Sequence, residues 1–163
     1  MKMLKISKEE KDFIFILENL RFEDFQELNA LWGDNWKNKT LESLRETEVL
    51  VLYGKDEKRS IAPIAMGGFY ELLGYEPKIA CVWLLSTKYI KYNKSTLMKV
   101  LKDQIKNAEN KYNIMYNFIY SANFQAKTWL CKLGFRFDNP KPSNLIVEEN
   151  FEFFYKVVNR KEF

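Results

Sequence analysis

Apolar residues along this chain follow two alternating patterns, helical spacing and the short runs typical of strands. In the first third, Phe22–Trp32 has helical spacing, and Ile14–Arg21 is predicted to be a strand. Thr40 is placed to cap a short helix over Leu41–Thr47. Five more strands are predicted further along, over Glu48–Gly54, Ile61–Leu73, Lys78–Leu85, Asn113–Tyr120 and Phe151–Asn159.

Two more helices are predicted in the second half. Apolar residues recur every three or four positions after Ser95, at Leu97, Leu101, Ile105 and Ala108, which predicts about four helical turns with a lysine-rich outer face. A helix over Phe124–Phe135 has Gly134 as its stop signal. Residues 135–138 are predicted to continue as a strand and residues 139–144 as a loop. The order predicts an α+β fold with a mixed, mostly antiparallel central sheet, helices on both faces and one β-α-β crossover.

Composition limits both the size of the fold and its chemistry. A chain of 163 residues is predicted to be a single domain over 1–163, since one domain takes roughly 100–200 residues. The sequence has no histidine, which excludes Ser-His-Asp and Cys-His catalysis and histidine-ligated zinc. No cluster of acidic residues has metal-ligand spacing, so no metal is predicted. Cys81 and Cys131 do not form a disulfide framework, which favours a reducing cytoplasm.

Charge is distributed unevenly along the chain. Residues 1–50 contain 8 basic and 11 acidic residues, whereas residues 51–163 contain 18 and 11. Seven of the lysines lie between positions 88 and 111. This excess suits a phosphate-bearing ligand, although a solvated helix face explains it equally well. A net charge of +4 without an arginine-rich run argues against nucleic acid as a partner. No apolar run approaches the roughly 18 residues of a membrane span.

The central crossover is the best candidate for a ligand site. Here a strand over Ala80–Leu85 is followed by a polar loop, Ser86–Lys94, and by the helix that starts at Ser95. A helix start offers unpaired N–H groups and a partial positive charge, which can bind a pyrophosphate. Lys91 and Lys94 would strengthen that field. Alternatively, the loop only caps its helix through Asn93 or Ser95.

The second half of the chain contains the pattern N-x-x-A-x(6)-LGF, at Asn123, Ala126 and Leu133–Phe135. In this pattern and in its order of elements, the chain resembles the GNAT superfamily of acetyl-CoA-dependent N-acyltransferases. Four further motifs are VWLLST, YNFIYSAN, WLCKLGFRF and FEFFYKV, at 82–87, 116–123, 129–137 and 151–157. In their order and spacing they resemble the GNAT-like internal virion protein A family of short-tailed phages.

The resemblance implies a cofactor site on the fourth and fifth strands. These strands are expected to part, and acetyl-CoA, the co-substrate, is expected to lie between them. Its pantetheine arm would pair with the backbone of Leu84, Leu85 and Ser86, and the side chain of Asn123 would lie near it. The pyrophosphate would lie on the helix start, at Lys91, Tyr92, Asn93, Lys94, Ser95 and Thr96. The acceptor would be an amine on a protein or small molecule, in contact with the segment around Trp32 and Trp36.

Two departures from the superfamily pattern leave two functions open. The phosphate-loop window Tyr89–Lys94 has no glycine, and Leu130 stands where a leaving-group tyrosine is usual. Candidates for proton transfer are Glu71, Tyr120 and Ser121 as bases and Cys131 as an acid. The chain is therefore predicted to be an N-acetyltransferase, or else a catalytically degenerate, virion-associated phage protein that acts in assembly or DNA ejection.

Overall fold

A computed structural model describes residues 3–137 and 150–158 of the chain. These residues form five α-helices: α1 (Glu10–Glu18), α2 (Phe22–Trp32), α3 (Trp36–Arg45), α4 (Lys94–Ala108) and α5 (Phe124–Lys132). They also form six strands: β1 (Leu4–Ser7), β2 (Val49–Lys55), β3 (Ile61–Leu72), β4 (Ile79–Ser86), β5 (Ile114–Tyr120) and β6 (Phe151–Val157). Short 3₁₀ helices lie at Gly33–Asn35 and Lys88–Tyr92.

The six strands form one sheet in the order β1-β2-β3-β4-β5-β6. β2 pairs antiparallel with β1 and with β3, and β6 pairs antiparallel with β5. β4 and β5 pair in parallel, as the crossover through α4 requires. The predicted α+β class, with a mixed and mostly antiparallel sheet, is therefore confirmed.

The first predicted strand is wrong. Residues Ile14–Glu18 lie in α1, where Phe13, Ile16 and Leu17 are buried at helical spacing. Two acidic residues in the first turn of this helix favour its N-terminal end. The first strand is instead Leu4–Ser7, a short segment that pairs in register with Val49–Leu52 of β2. Its sequence carries little strand signal, because its pairing partners are 42 to 48 positions away.

Two predicted boundaries are also wrong. Thr40 does not cap a helix, because α3 begins at Trp36 and the Thr40 hydroxyl donates to the Trp36 carbonyl, 2.7 Å away, inside the helix. The strand predicted over 135–138 is a single antiparallel bridge between Arg136 and Tyr155. Asp138 and the predicted loop at 139–144 lie outside the described residues. The predicted stop of α5 is confirmed, since Gly134 has a φ of 88°.

The described residues fall into two compact units. The first contains 3–69 and 83–100, and the second contains 70–82, 101–137 and 150–158. The core of the first unit consists of buried apolar side chains from α1, α2, α3 and β2–β4: Phe13, Ile16, Leu17, Leu28, Leu44, Val49, Val51, Met66 and Leu85. In the second unit the fully buried Met115 of β5 lies between strand partners, and Phe135 and Phe154 meet edge to face with ring centroids 5.4 Å apart.

Candidate functional site

The parallel ladder between β4 and β5 is short. Within the described residues it contains three pairs and ends at Cys81 and Tyr116, although β4 continues to Ser86 and β5 to Tyr120. Just past the last pair, the side-chain amide of Asn117 donates to the Val82 carbonyl over 2.6 Å. The side-chain oxygen of Asn117 also accepts the Phe118 N–H at 2.7 Å. A side chain thus takes the place of the next ladder partner, and strand pairing stops there.

At the end of β4, the backbone N–H and carbonyl groups of alternate residues point toward β3 and away from it. The Thr87 N–H donates to the Ile64 carbonyl of β3, 2.8 Å away. Because successive residues of a strand point to opposite edges, the peptide groups of Ser86 and Leu84 face away from β3. Those of Leu85 face β3, and the Leu85 side chain is in the core of the first unit. Of the predicted pantetheine-pairing residues, Leu84 and Ser86 therefore face away from β3, whereas Leu85 faces β3.

Ser86 is already hydrogen-bonded at both peptide groups. Its N–H donates to the carboxylate of Asp24 at 3.0 Å, and its carbonyl accepts the Arg21 N–H at 3.0 Å. The Ser86 hydroxyl donates to the same Asp24 oxygen at 3.0 Å. Arg21 in turn donates to both carboxylate oxygens of Asp24 at 3.1 Å. This buried network, which we call the Asp24 cluster, consists of Arg21, Asp24 and Ser86.

The loop after β4 forms a 3₁₀ turn whose backbone N–H groups are hydrogen-bonded within the protein. The Lys88 N–H donates to the Asn19 carbonyl at 2.9 Å, and the Tyr89 and Ile90 N–H groups donate to Thr87. A glycine-rich loop could instead turn such groups toward a phosphate. The side chains of Lys91 and Tyr92 are exposed, with the Lys91 ammonium 5.0 Å from the Tyr92 ring centroid.

Asn93 ties this loop to the end of β2. Its amide donates to the carbonyls of Lys55 at 2.8 Å and Tyr89 at 3.0 Å, and its oxygen accepts the Lys55 N–H at 3.1 Å. Gly54 makes the approach possible, because a Cβ there would lie 2.6 Å from the Asn93 side-chain oxygen. The predicted ligand-binding side chain of Asn93 therefore has a structural role in this conformation.

The start of α4 has backbone N–H groups that precede the helical hydrogen bonds. The first helical hydrogen bond runs from the Leu97 N–H to the Asn93 carbonyl, 2.9 Å away. The N–H groups of Lys94, Ser95 and Thr96 precede it and have no helix carbonyl to bond. All three of these residues are exposed. Lys94, which was predicted to precede the helix, is its first residue, so its charge lies at the positive end of the helix dipole.

Asn123 and two of the proton-transfer candidates lie at the turn from β5 to α5. Asn123 is buried and caps α5 by accepting the Ala126 N–H at 3.3 Å. Its own N–H donates to the Tyr120 carbonyl at 2.9 Å, and the Ser121 carbonyl accepts from the Lys127 ammonium at 3.4 Å. Sequence reasoning placed Asn123 near a ligand, and the structure shows a helix cap at this position.

Glu71 on β3 has the most unusual surroundings of the proton-transfer candidates. One of its carboxylate oxygens, Oε1, is buried and has no hydrogen-bond partner among the described residues. Buried oxygens of this kind are rare in folded proteins and often mark a place where a ligand or a water completes the bonding. Cys131 is exposed on α5, next to the half-buried Leu130.

The thiol of Cys81, the other cysteine, ionises at a higher pH than usual. Burial raises the pKa of the Cys81 thiol to about 11, and burial likewise raises the pKa of its ladder partner Tyr116. Cys81 is therefore a neutral thiol near neutral pH. In the part of the chain that the structure describes, no group of three His, Cys, Asp or Glu side chains could hold a metal ion. No helix among these residues has the length and apolar character to cross a membrane.

Sequence reasoning missed Asp24, Arg21 and Asn117. The Arg21–Asp24 pair has the spacing of an ordinary surface ion pair on a helix. Only the approach of Ser86, which is 62 positions away in the sequence, makes it part of the site. Asn117 lies within the YNFIYSAN segment, but its bond to Val82 joins residues 35 positions apart, which no local pattern predicts.

The chain resembles solved acetyltransferase structures over nearly its whole length. An acetyltransferase of the GNAT family from Streptococcus pneumoniae superposes with a TM-score of 0.60 at 12% identity, covering 96% of this chain and 98% of that one. A Bacillus subtilis acetyltransferase in complex with CoA gives 0.59 at 14% identity, with the same coverage. Spermidine N-acetyltransferase from Vibrio cholerae, in complex with CoA and spermine, gives 0.57 at 11% identity and covers 96% of each chain.

Comparison of sequences does not detect this likeness. No protein-family model matches the chain, and no curated protein sequence matches it. The likeness therefore lies in the arrangement of the elements, with a parallel β4–β5 pair and a crossover helix in an otherwise mainly antiparallel sheet. The chain has the fold of the GNAT acetyltransferases.

Proposed function

We propose that this protein is a GNAT-like N-acyltransferase that moves an acetyl group from acetyl-CoA to an amine. The observation that carries the proposal is the early end of the β4–β5 ladder at Cys81 and Tyr116. Beyond a ladder that stops, strand edges keep peptide groups that can pair with the amides of a pantetheine arm. The proposal takes residues 1–163 as one domain.

The residues at the start of α4 fit the phosphate end of acetyl-CoA. Three unpaired N–H groups and the ammonium of Lys94, with Lys91 nearby in the sequence, supply donors and positive charge. Leu84 is the position at the β4 edge that could pair with the arm. Asn93 contributes to the shape of this region by holding the loop against β2, so its side chain is not assigned to the ligand.

The reaction needs one proton acceptor and one proton donor. The amine nitrogen would attack the thioester carbonyl, so that a C–N bond forms and the C–S bond breaks. Glu71 is our choice to take the proton from the amine, because its Oε1 has no donor among the described residues. The leaving thiolate would take a proton from Cys131 or from water, since Leu130 cannot donate one. Tyr120 and Ser121 remain alternative acceptors.

The acceptor is proposed to be an amine on a small molecule or a protein, bound along α2 and the start of α3. Phe25 and Trp36 meet edge to face with ring centroids 5.6 Å apart, and Trp32 is 38% exposed. Aromatic faces of this kind bind organic ammonium groups through cation–π attraction. The Vibrio cholerae neighbour, described as a complex with spermine, makes polyamines a sensible first choice for an acceptor panel.

The second candidate is a catalytically degenerate GNAT-like phage protein that acts in virion assembly or DNA ejection. The occupied peptide groups of Ser86 favour it, because they remove one of the expected pairing positions. The self-bonded loop at Lys88–Tyr92 and the leucine at position 130 point the same way. Under this alternative the protein would be virion-associated, whereas the enzyme would act in the cytoplasm.

Thermal unfolding with and without acetyl-CoA separates the two candidates. A ligand at 100 times its Kd stabilises a protein by about 2.7 kcal/mol, which shifts the Tm by several degrees. We expect such a shift with acetyl-CoA, followed by release of free CoA thiol when a panel of amines is added. A shift without thiol release would support a binding protein that lacks catalysis. No shift at millimolar acetyl-CoA would contradict the enzyme and support the degenerate candidate.

A further inference from the structure

One face of the β5–β6 pair is packed against the end of α5. Met115, Ile119 and Phe154 on this face are at most 5% exposed. The Lys156 ammonium, on the same face of β6, donates to the carbonyl of Leu133 at the end of α5, 3.0 Å away. This face of the two strands therefore belongs to the interior of the second unit.

The opposite face of the same two strands is apolar but only partly buried. Tyr116 and Phe118 of β5 pair with Tyr155 and Phe153 of β6, and residues that pair directly point to the same face of a sheet. The centroid of the Phe153 ring lies 5.9 Å, 5.3 Å and 5.7 Å from those of Tyr116, Phe118 and Tyr155. All four side chains are half-buried. They form a continuous aromatic surface that keeps contact with solvent.

This surface extends beyond the four rings. Ile114 and Val157 are a further pair of β5 and β6 on the same face, and Val157 is 54% exposed. Ile79 and Cys81 of β4, which are half-buried, pair with β5 on this face as well. We call these eight side chains the open face: Ile79, Cys81, Ile114, Tyr116, Phe118, Phe153, Tyr155 and Val157. None of them is charged near neutral pH.

The charged residues of β6 lie on the other face. Glu152 forms an ion pair with Lys127 of α5, and Lys156 forms one with Glu109. A sheet with one face in water usually carries its polar residues on that face and its apolar residues on the core side. Here the side packed against α5 carries the charges, and the partly solvated side carries none. An apolar face of this kind is typical of a surface that contacts another apolar surface.

We propose that the open face is the contact surface of a weak symmetric dimer, formed with a second copy of this chain. The chain has a net charge of +4, so two copies repel each other wherever lysines would meet. An uncharged face is therefore where two copies can approach. Paired strands also present a flat surface, and two such faces stack about 10 Å apart with interdigitated side chains.

The size of the open face limits the strength of the dimer. Each partner contributes about 20–30 residues to a standard interface, whereas the open face supplies eight side chains. Four of the eight are aromatic, the class that is most enriched at the centre of protein interfaces. We therefore expect a reversible dimer with a Kd of about 10–100 μM.

Sedimentation velocity at several protein concentrations tests the proposal. The wild-type chain of 19.5 kDa should shift from monomer to dimer between about 1 μM and about 500 μM. High salt should preserve or strengthen the dimer, because it screens the repulsion between positively charged copies and leaves apolar contacts intact. A wild-type chain that stays monomeric would overturn the proposal, since a different occupant would then have to cover the face. Loss of the dimer in high salt would also overturn it.

Two variants place a charge on the open face. Phe153→Lys puts an ammonium among the four rings, and Val157→Lys puts one at the exposed end of the face. Each should weaken dimerisation by at least about tenfold, because a charge enclosed in an apolar contact loses its water. Ile61→Lys is the matched control for Val157→Lys, since Ile61 is 50% exposed on a strand of the first unit and the change in net charge is the same. This control should dimerise nearly as wild type does.

Val157→Lys keeps the test valid if Phe153→Lys does not fold. Because the side chain of Val157 is already exposed, a lysine there can keep its ammonium in water in the monomer, and circular dichroism checks the fold. Dimerisation of Val157→Lys equal to that of wild type would overturn the assignment of the open face. An equal loss in Val157→Lys and Ile61→Lys would overturn it too, because net charge alone would then explain the effect.

Discussion

The carboxylate of Asp24 accepts the peptide N–H of Ser86 at 3.0 Å, although the two residues are 62 positions apart in the sequence. This bond joins the first turn of α2 to the last residue of β4, the part of the molecule where strand pairing with β5 has already ended. The bond therefore ties α2 to the end of β4 within the first unit.

Replacement of Arg21 by methionine should destabilise the protein strongly. The change removes the cation that neutralises Asp24 and leaves a buried carboxylate without a counter-charge. Breaking a buried ion pair on one side costs about 3–5 kcal/mol, so we expect a loss of that order in the free energy of unfolding from urea denaturation. Lys37→Met is the control, because it breaks the exposed Lys37–Glu18 pair and should cost less than about 1 kcal/mol. Equal losses in the two variants would contradict the assignment of Arg21.

Reversing the charge of Lys94 should weaken CoA binding. In Lys94→Glu a negative charge replaces a positive one at the start of α4, where the pyrophosphate is proposed to lie. We expect affinity to fall by about tenfold, or about 1.4 kcal/mol, in calorimetric titration with CoA. Lys106→Glu makes the same change in net charge about 18 Å further along the helix and should leave affinity nearly unchanged. An equal loss of affinity in the two variants would show that the phosphates do not bind at the start of α4.

Glu71 should affect turnover and not cofactor binding. The variant Glu71→Gln keeps the size of the side chain but cannot accept a proton from an amine. Loss of a general base lowers kcat by about 10²–10⁴-fold, so we expect a fall in that range in an assay of thiol release, with CoA affinity unchanged. Glu57→Gln, in an exposed turn, is the matched control. A kcat of Glu71→Gln within twofold of wild type would show that another group accepts the proton of the amine.

The two thiols should differ in reactivity toward a disulfide reagent. Cys131 is exposed, whereas Cys81 is half-buried and burial raises its pKa to about 11. One thiol per folded chain should react rapidly near neutral pH, and the second should react after unfolding in urea. Because the thiolate is the reactive form, the labelling rate of Cys81 should rise about tenfold per pH unit below its pKa.

The Cys131→Ser variant identifies the rapid thiol. It should abolish the fast phase and leave the slow one, and the reciprocal Cys81→Ser variant should do the opposite. Two fast thiols in the folded wild-type chain would contradict the burial of Cys81.

Elements with strong local patterns were predicted well from the sequence. The helix over Phe22–Trp32 and the strands β2 to β6 depend on periodicity and turn residues, which neighbouring positions carry. The strand predicted over Ile14–Arg21 failed because a short apolar run fits a buried helix face as well as a strand. The position of β1 could not be predicted, because its four residues form a strand only against β2.

The candidate site divides in the same way. The lysines follow from the sequence, and the helix start was predicted at Ser95, one residue after its observed first residue Lys94, because a helix boundary is largely a local property. Three hydrogen bonds could not be predicted from the sequence: Asn93 to Lys55, Ser86 to Asp24 and Asn117 to Val82. Each of them joins residues at least 35 positions apart. Residues so far apart meet only when the sheet and helices have packed. The sequence by itself determined which segments become helices and strands and where positive charge gathers, whereas tertiary packing decided which polar groups stay open to a ligand.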